Sequence, residues 1–180
     1  MGSRAAGRSR DDVRGHGCSV APHGYYDDET RRCLTALEGH VDTRRAAAVW
    51  EAALAARWRG TPVWFHGDIA ADNLLVADGA VTAVIDFGTS GVGDPACDLV
   101  IAWGMFSGDS REAFRRTVAK DAGTWARARG WSLWKSLLVM SESLGADPER
   151  TASHHRVIDE VLADHHRFGG VGNGTPASRS

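Results

Sequence analysis

Apolar residues along this chain change rhythm twice. Over 44–58, Ala46, Val49, Trp50, Ala53 and Leu54 fall three or four apart, the spacing of one helix face. Asp42-Thr43 ahead of them offers an N-cap, and Gly60-Thr61-Pro62 ends the helix. An earlier helix is predicted over 27–38, with acids in its first turn and Gly39 as its stop. The rhythm then becomes that of strands. Val63-Trp64-Phe65 predicts a short buried strand, Gly67–Asp72 a loop and Asn73–Val76 a second strand. Asp78-Gly79 is a hairpin turn, and Val81–Ile85 is a third strand ending on Asp86. The glycines from Gly88 to Gly93 predict a flexible connection.

Helical spacing returns at Asp94-Pro95, an N-cap followed by proline at the first helical position, which opens a helix to Phe106. Ser107–Ser110 closes it, with Ser110 as the cap of a helix over 111–120. Over 121–144, Trp125, Ala128, Trp131, Leu133, Trp134, Leu137 and Leu138 make a broad apolar face, with Gly130 a candidate break. Asp147-Pro148 starts a last helix, 148–167. Residues 1–24 and 168–180 are polar and glycine-rich and predict a disordered leader and tail. The class that emerges is α+β, mostly helical, with a small hairpin unit between helical segments.

Composition narrows the function classes. The 180 residues make one domain or one large lobe. A net charge of −2 gives no electrostatic case for nucleic acid or membrane surfaces, and no apolar stretch approaches the roughly 20 residues of a membrane span. No apolar segment follows the N-terminal arginines, so a signal peptide is not expected. The three cysteines, Cys18, Cys33 and Cys97, lack CxxC spacing and fit a reduced, cytoplasmic chain. His154-His155 and His165-His166 suggest a metal. On one helix, however, His154 and His165 would stand about 16 Å apart at ~1.5 Å per residue, too far to share an ion. The tryptophans fit helix stripes and read as core.

The chemistry concentrates between His66 and Leu99. Asp68 lies in a loop, Asn73 follows five residues later, and Asp86 follows thirteen residues after that. Phosphoryl transfer requires positioning, charge neutralisation and a group at the attacking hydroxyl. Asp68 suits the last role as a proton acceptor. Asn73 and Asp86 offer the oxygen donors that magnesium prefers, and pairing a carboxamide with a carboxylate limits like-charge repulsion. Each residue alone is most often a turn or cap residue. The ordered set HGDxxxxN, an apolar hairpin, IDFG and GDPxxDL is hard to obtain from independent turns.

This set resembles the aminoglycoside phosphotransferase family, whose fold is protein-kinase-like. His66–Asn73 is similar to its catalytic loop, Asp86-Phe87-Gly88 to its metal-binding motif, and Gly93–Leu99 to the segment that follows. The resemblance runs from about Arg14 to Leu144. It implies Asp68 as catalytic base and Asn73 and Asp86 as magnesium ligands. It implies Leu75 and Ile85 as an apolar floor under a nucleotide base, with His66 and Asp98 bracing the loop. The co-substrate would be ATP or GTP and the acceptor a small-molecule hydroxyl, most directly that of an aminoglycoside. A cationic acceptor would seek acids, of which Asp72 and Glu142 are candidates.

The sequence also departs from that family. Its N-terminal β lobe carries a phosphate-covering loop and a lysine, whereas residues 1–62 read here as leader and helices, and the only lysines are Lys120 and Lys135. The expectation is a C-terminal lobe over 25–167 without the β lobe, inactive or weak by itself. Two alternatives stay open. One is a non-catalytic lobe that binds nucleotide or small molecule. The other is a metallophosphoesterase, suggested by Gly67-Asp68 and Asp72-Asn73 but lacking an upstream DxH element.

Overall fold

A computed structural model describes residues 25–169; the leader over 1–24 and the tail from 170 lie outside the described residues. Helix α1 spans Tyr25–Ala36 and α2 Thr43–Ala55. Four short strands follow: β1 (Val63–Phe65), β2 (Leu74–Ala77), β3 (Ala80–Val84) and β4 (Gly91–Gly93). The remaining helices are α3 (Ile101–Gly104), α4 (Gly108–Val118), α5 (Ala122–Ser143) and α6 (Pro148–Phe168). Short 3₁₀ turns cover Ala71–Asn73, Phe87–Thr89 and Pro95–Val100. The mostly helical α+β class is as the sequence implies.

Helix α5 is the hub, packing against α6, α2, the 95–100 turn and α1. Its buried face carries Trp125, Ala128, Trp131, Leu133, Leu137 and Met140, against Trp50 and Val49 of α2 and Ile158 and Val161 of α6. Each such aliphatic side chain contributes about 1.5–3 kcal/mol on burial. Trp50, Trp103, Trp125 and Trp131 are buried in the core, and two ring nitrogens tie the first helix to it. Trp50 Nε1–H donates to Asp27 Oδ1 at 2.7 Å and Trp134 Nε1–H to Glu29 Oε2 at 2.7 Å, which fastens α1 to the body.

Several sequence expectations need correction. Gly130 does not break α5, which runs unbroken through it. A Cβ there would collide with the Ala53 Cβ, so glycine lets α2 and α5 approach closely. The helix expected over 95–106 is a 3₁₀ turn followed by the single turn of α3. Its cap is as read: the Asp94 side chain accepts from Ala96 N–H at 3.1 Å. The helix expected from 111 begins at Gly108, and its cap is Ser107; Ser110 instead sits in its first turn, where its hydroxyl accepts from Ser107 N–H. The glycine-rich stretch is not a loose connection, because Gly91–Gly93 pairs antiparallel with β1, Val63 opposite Gly93 and Phe65 opposite Gly91. Strand β1 is also not buried: Phe65 is, but Trp64 is 79% exposed. Phe168, expected in the tail, ends α6 and stacks under the Arg115 guanidinium.

The β2–β3 hairpin turns at Asp78 (φ 51°) and Gly79 (φ 76°), two left-handed residues as in a type I′ turn. One buried ion pair joins this half of the chain to the helices. Arg127 of α5 places Nε 2.5 Å from Asp94 Oδ2 and Nη2 3.2 Å from Oδ1, both side chains being buried.

Two substitutions test this packing by thermal denaturation. Gly130→Ala would raise the stability of an exposed helix by about 1 kcal/mol; here it is expected to lower it by about 1–3 kcal/mol through overpacking against Ala53. Arg127→Ala strands the Asp94 carboxylate in the interior and is expected to cost about 3–5 kcal/mol.

Candidate active site

Strand β1 delivers the loop that holds Asp68. Gly67 has φ +85°, and a Cβ there would lie 2.5 Å from the Thr89 carbonyl oxygen, so the position requires glycine on both counts. Asp98, in the 95–100 turn, accepts from His66 N–H and from Gly67 N–H, each at 2.8 Å. Its carboxylate thus grips two successive amides of the loop. The His66 ring links loop to hairpin: Nε2–H donates to the Ile85 carbonyl at 2.9 Å, and Nδ1 accepts from Asp68 N–H at 3.3 Å. Thr89 Oγ1 donates to the His66 carbonyl at 3.1 Å.

The hairpin brings Asn73 and Asp86 together. Leu74 pairs with Val84, and Ile85 N–H donates to the Asn73 carbonyl at 2.9 Å, so Asp86 is the next residue beyond the ladder. Asn73 Nδ2 donates to the Asp68 carbonyl at 2.8 Å, which leaves its Oδ1 to accept from elsewhere. Asp86 adopts left-handed backbone (φ 60°, ψ 62°) and its side chain caps nothing. That conformation costs about 1–2 kcal/mol for most L residues, less for aspartate, and persists where its surroundings hold it. Leu75, opposite Ala83, and Ile85, opposite Asn73, are diagonal neighbours on one face of the ribbon, 48% and 40% exposed.

Asp68 Oδ1 is ion-paired with Nζ of Lys135 from α5. Beside them lies a cavity of about 210 Å³ between the loop, α5 and α6, with exposed Asp72 on its rim. Glu142 is exposed, two turns further along α5, and does not line that cavity. The sequence reading gave Lys135 no role beyond noting it as one of the two lysines of the chain. Its signal was a polar notch in the apolar face, Ser132, Lys135 and Ser136 at i, i+3 and i+4. Among the described residues no cluster of three His, Cys, Asp or Glu could hold a metal. His155 Nε2 instead meets the His40 carbonyl at 3.0 Å. The oxygen pair Asn73 and Asp86 suits a hard cation that keeps most of its water, as magnesium does, rather than a transition metal.

Asp98→Asn presents one amide hydrogen-bond donor to the loop's own N–H groups. It is expected to loosen the loop by about 1–3 kcal/mol, read as faster hydrogen exchange at the His66 and Gly67 amides with the α5 core amides unchanged.

Comparison with known proteins follows the same residues. The model of the phosphotransferase enzyme family matches 20–131. An aminoglycoside 3'-phosphotransferase of Escherichia coli is 37% identical over 59 residues, which is 33% of this chain and 22% of that protein. Among solved structures, a thermostable mutant of the aminoglycoside phosphotransferase APH(4)-Ia in ternary complex with AMP-PNP and hygromycin B is 22% identical, at TM-score 0.45. That match covers 73% of this chain and 46% of the other. The apo form of such a mutant is 20% identical at TM-score 0.43, covering 79% and 53%. The chain thus spans about half the length of the solved chains it matches. With a family match over most of its length, one that contains the whole His66–Leu99 segment, the chain belongs to the phosphotransferase enzyme family.

Proposed function

We propose that residues 25–167 form the C-terminal catalytic lobe of a cytoplasmic phosphotransferase that moves the γ-phosphoryl group of ATP or GTP to a hydroxyl of a small molecule, with an aminoglycoside-type antibiotic as the acceptor class. One arrangement carries the reading. Asp86, held in left-handed backbone with a side chain that caps nothing, sits one residue past the rung that joins Ile85 to Asn73, and Asn73 is itself bonded to the Asp68 loop. The aminoglycoside acceptor is suggested by the E. coli relative.

In this reading Asp68 accepts the hydroxyl proton and orients the attacking oxygen. The Asn73 bond to the Asp68 carbonyl fixes the spacing between that base and the phosphate end of the site. Asn73 Oδ1 and the Asp86 carboxylate would hold magnesium, which when bound neutralises charge on the phosphate oxygens. Leu75 and Ile85 offer their shared face to the nucleotide base. His66 and Asp98 keep the loop from relaxing, so that little reorganisation is left for the reacting state. Asp72 meets a cationic group of the acceptor at the cavity rim.

Calorimetric titration of the 180-residue chain with AMP-PNP tests this. Binding is expected with magnesium and not with a chelator, and Asp86→Ala is expected to weaken it by about tenfold or more, that is ~1.4 kcal/mol. Asp68→Asn should leave nucleotide affinity nearly unchanged. Equal binding in chelator, or an indifferent Asp86→Ala, sinks the reading. Turnover by this chain alone is expected near background, since no strand precedes β1 among the described residues to cover the phosphates.

A further inference from the structure

The cavity beside Asp68 holds polar groups that the phosphoryl chemistry leaves unused. Ser132 and Ser136 stand one turn apart on α5, 4% and 2% exposed, and both line it. Neither hydroxyl makes a side-chain hydrogen bond among the described residues, and neither oxygen is sealed off as a buried unpaired atom, so both stay open to the cavity. His154 of α6 lines the same wall, although its unpaired Nδ1 is turned away from accessible surface. At about 210 Å³ the space is many times the roughly 10–15 Å³ that one water needs. It is sized for a small ring, and its spare groups are suited to a ring's hydroxyls.

Charge around the cavity is placed against a cation. Lys135 occupies Oδ1 of Asp68 and leaves Oδ2 for an incoming hydroxyl. An ammonium group entering beside Asp68 would meet the Lys135 ammonium or have to break its ion pair. Burial, then Arg150 and Lys135, push His154 towards its neutral form, so it adds no charge of its own to the cavity wall. The one acid lining the cavity, Asp72, is exposed at its rim.

We infer that this cavity is the acceptor pocket, and that Lys135 makes it select an uncharged, hydroxyl-bearing ring, any ammonium groups of the acceptor staying outside at Asp72. The inference rests on the phosphotransferase reading and narrows its substrate: the ring that receives the phosphoryl group is the one poor in amines. Lys135 is a specificity residue here, and Ser132 and Ser136 are the groups that hold the ring.

Two cyclohexane probes of similar size separate charge from shape: myo-inositol, with hydroxyls only, and 2-deoxystreptamine, with two ammonium groups. Each is titrated into the isotope-labelled 180-residue chain at fixed ionic strength and followed by amide chemical shifts. Nucleotide and magnesium are left out, so failure here is distinct from failure of nucleotide binding. The expected result is that myo-inositol shifts the Ser132, Lys135, Ser136 and His154 resonances and binds about tenfold or more tighter than 2-deoxystreptamine. Lys135→Glu should reverse that order and Lys135→Gln should level it; both side chains sit at a part-exposed position, and an unchanged spectrum elsewhere certifies the fold. Tighter binding of 2-deoxystreptamine to the unaltered chain overturns the proposal. So does an order indifferent to Lys135→Glu, or no shift at these four residues with either ring.

Discussion

The buried pair between Arg127 and Asp94 is the tie on which the site depends. Asp94 caps the turn that carries Asp98, and Asp98 grips the loop that carries Asp68. Arg127 sits near the start of α5 and also bonds the Ala56 carbonyl at the end of α2, at 3.3 Å. Three segments distant in sequence are therefore referred to one guanidinium. A buried pair adds little net stability over a well-packed apolar substitute, but its fork geometry defines position. The chain of contacts runs from hub helix to cap, from cap to turn, and from turn to the Asp68 loop; Arg127 donates in the first link, and the Asp94 and Asp98 carboxylates accept in the other two.

The hairpin solves a different problem. Its rungs place Asn73 opposite Ile85, so two oxygen donors thirteen residues apart meet at one end of a ribbon. The His66 ring then spans from loop to hairpin through both nitrogens. Loop and ribbon are held in register without a continuous sheet between them; the two ladders, β1 with β4 and β2 with β3, are separate.

Local signals in the sequence were enough for the caps at Asp42, Asp94 and Asp147, the Asp78-Gly79 turn and the apolar stripe of α2, because each depends on residues within one or two turns. The grouping of Asp68, Asn73 and Asp86 was legible because their spacing matches loop plus hairpin. What escaped was decided by distant partners. Gly130 looks like a helix breaker until Ala53 is seen to need the space. Gly91–Gly93 has only Val92 to favour a strand, yet β1 pairs with it, and the Phe65 ring lies where a side chain on Gly91 would stand. Lys135 lies 67 residues beyond Asp68 and reaches it only because α5 crosses beneath the loop.

The two-stranded ribbon of β2 and β3 shares none of the packing that fixes the helices; Val76, Val81, Leu75 and Ile85 are all exposed. Two-stranded ribbons are marginal in isolation, so this one can open while the helices stay intact. A melting curve followed by far-ultraviolet circular dichroism records the helices, which dominate the signal. The temperature at which the helical body melts and the temperature at which the site ceases to exist are therefore separate properties of this molecule, and the second is set by a few rungs of ladder and one histidine ring.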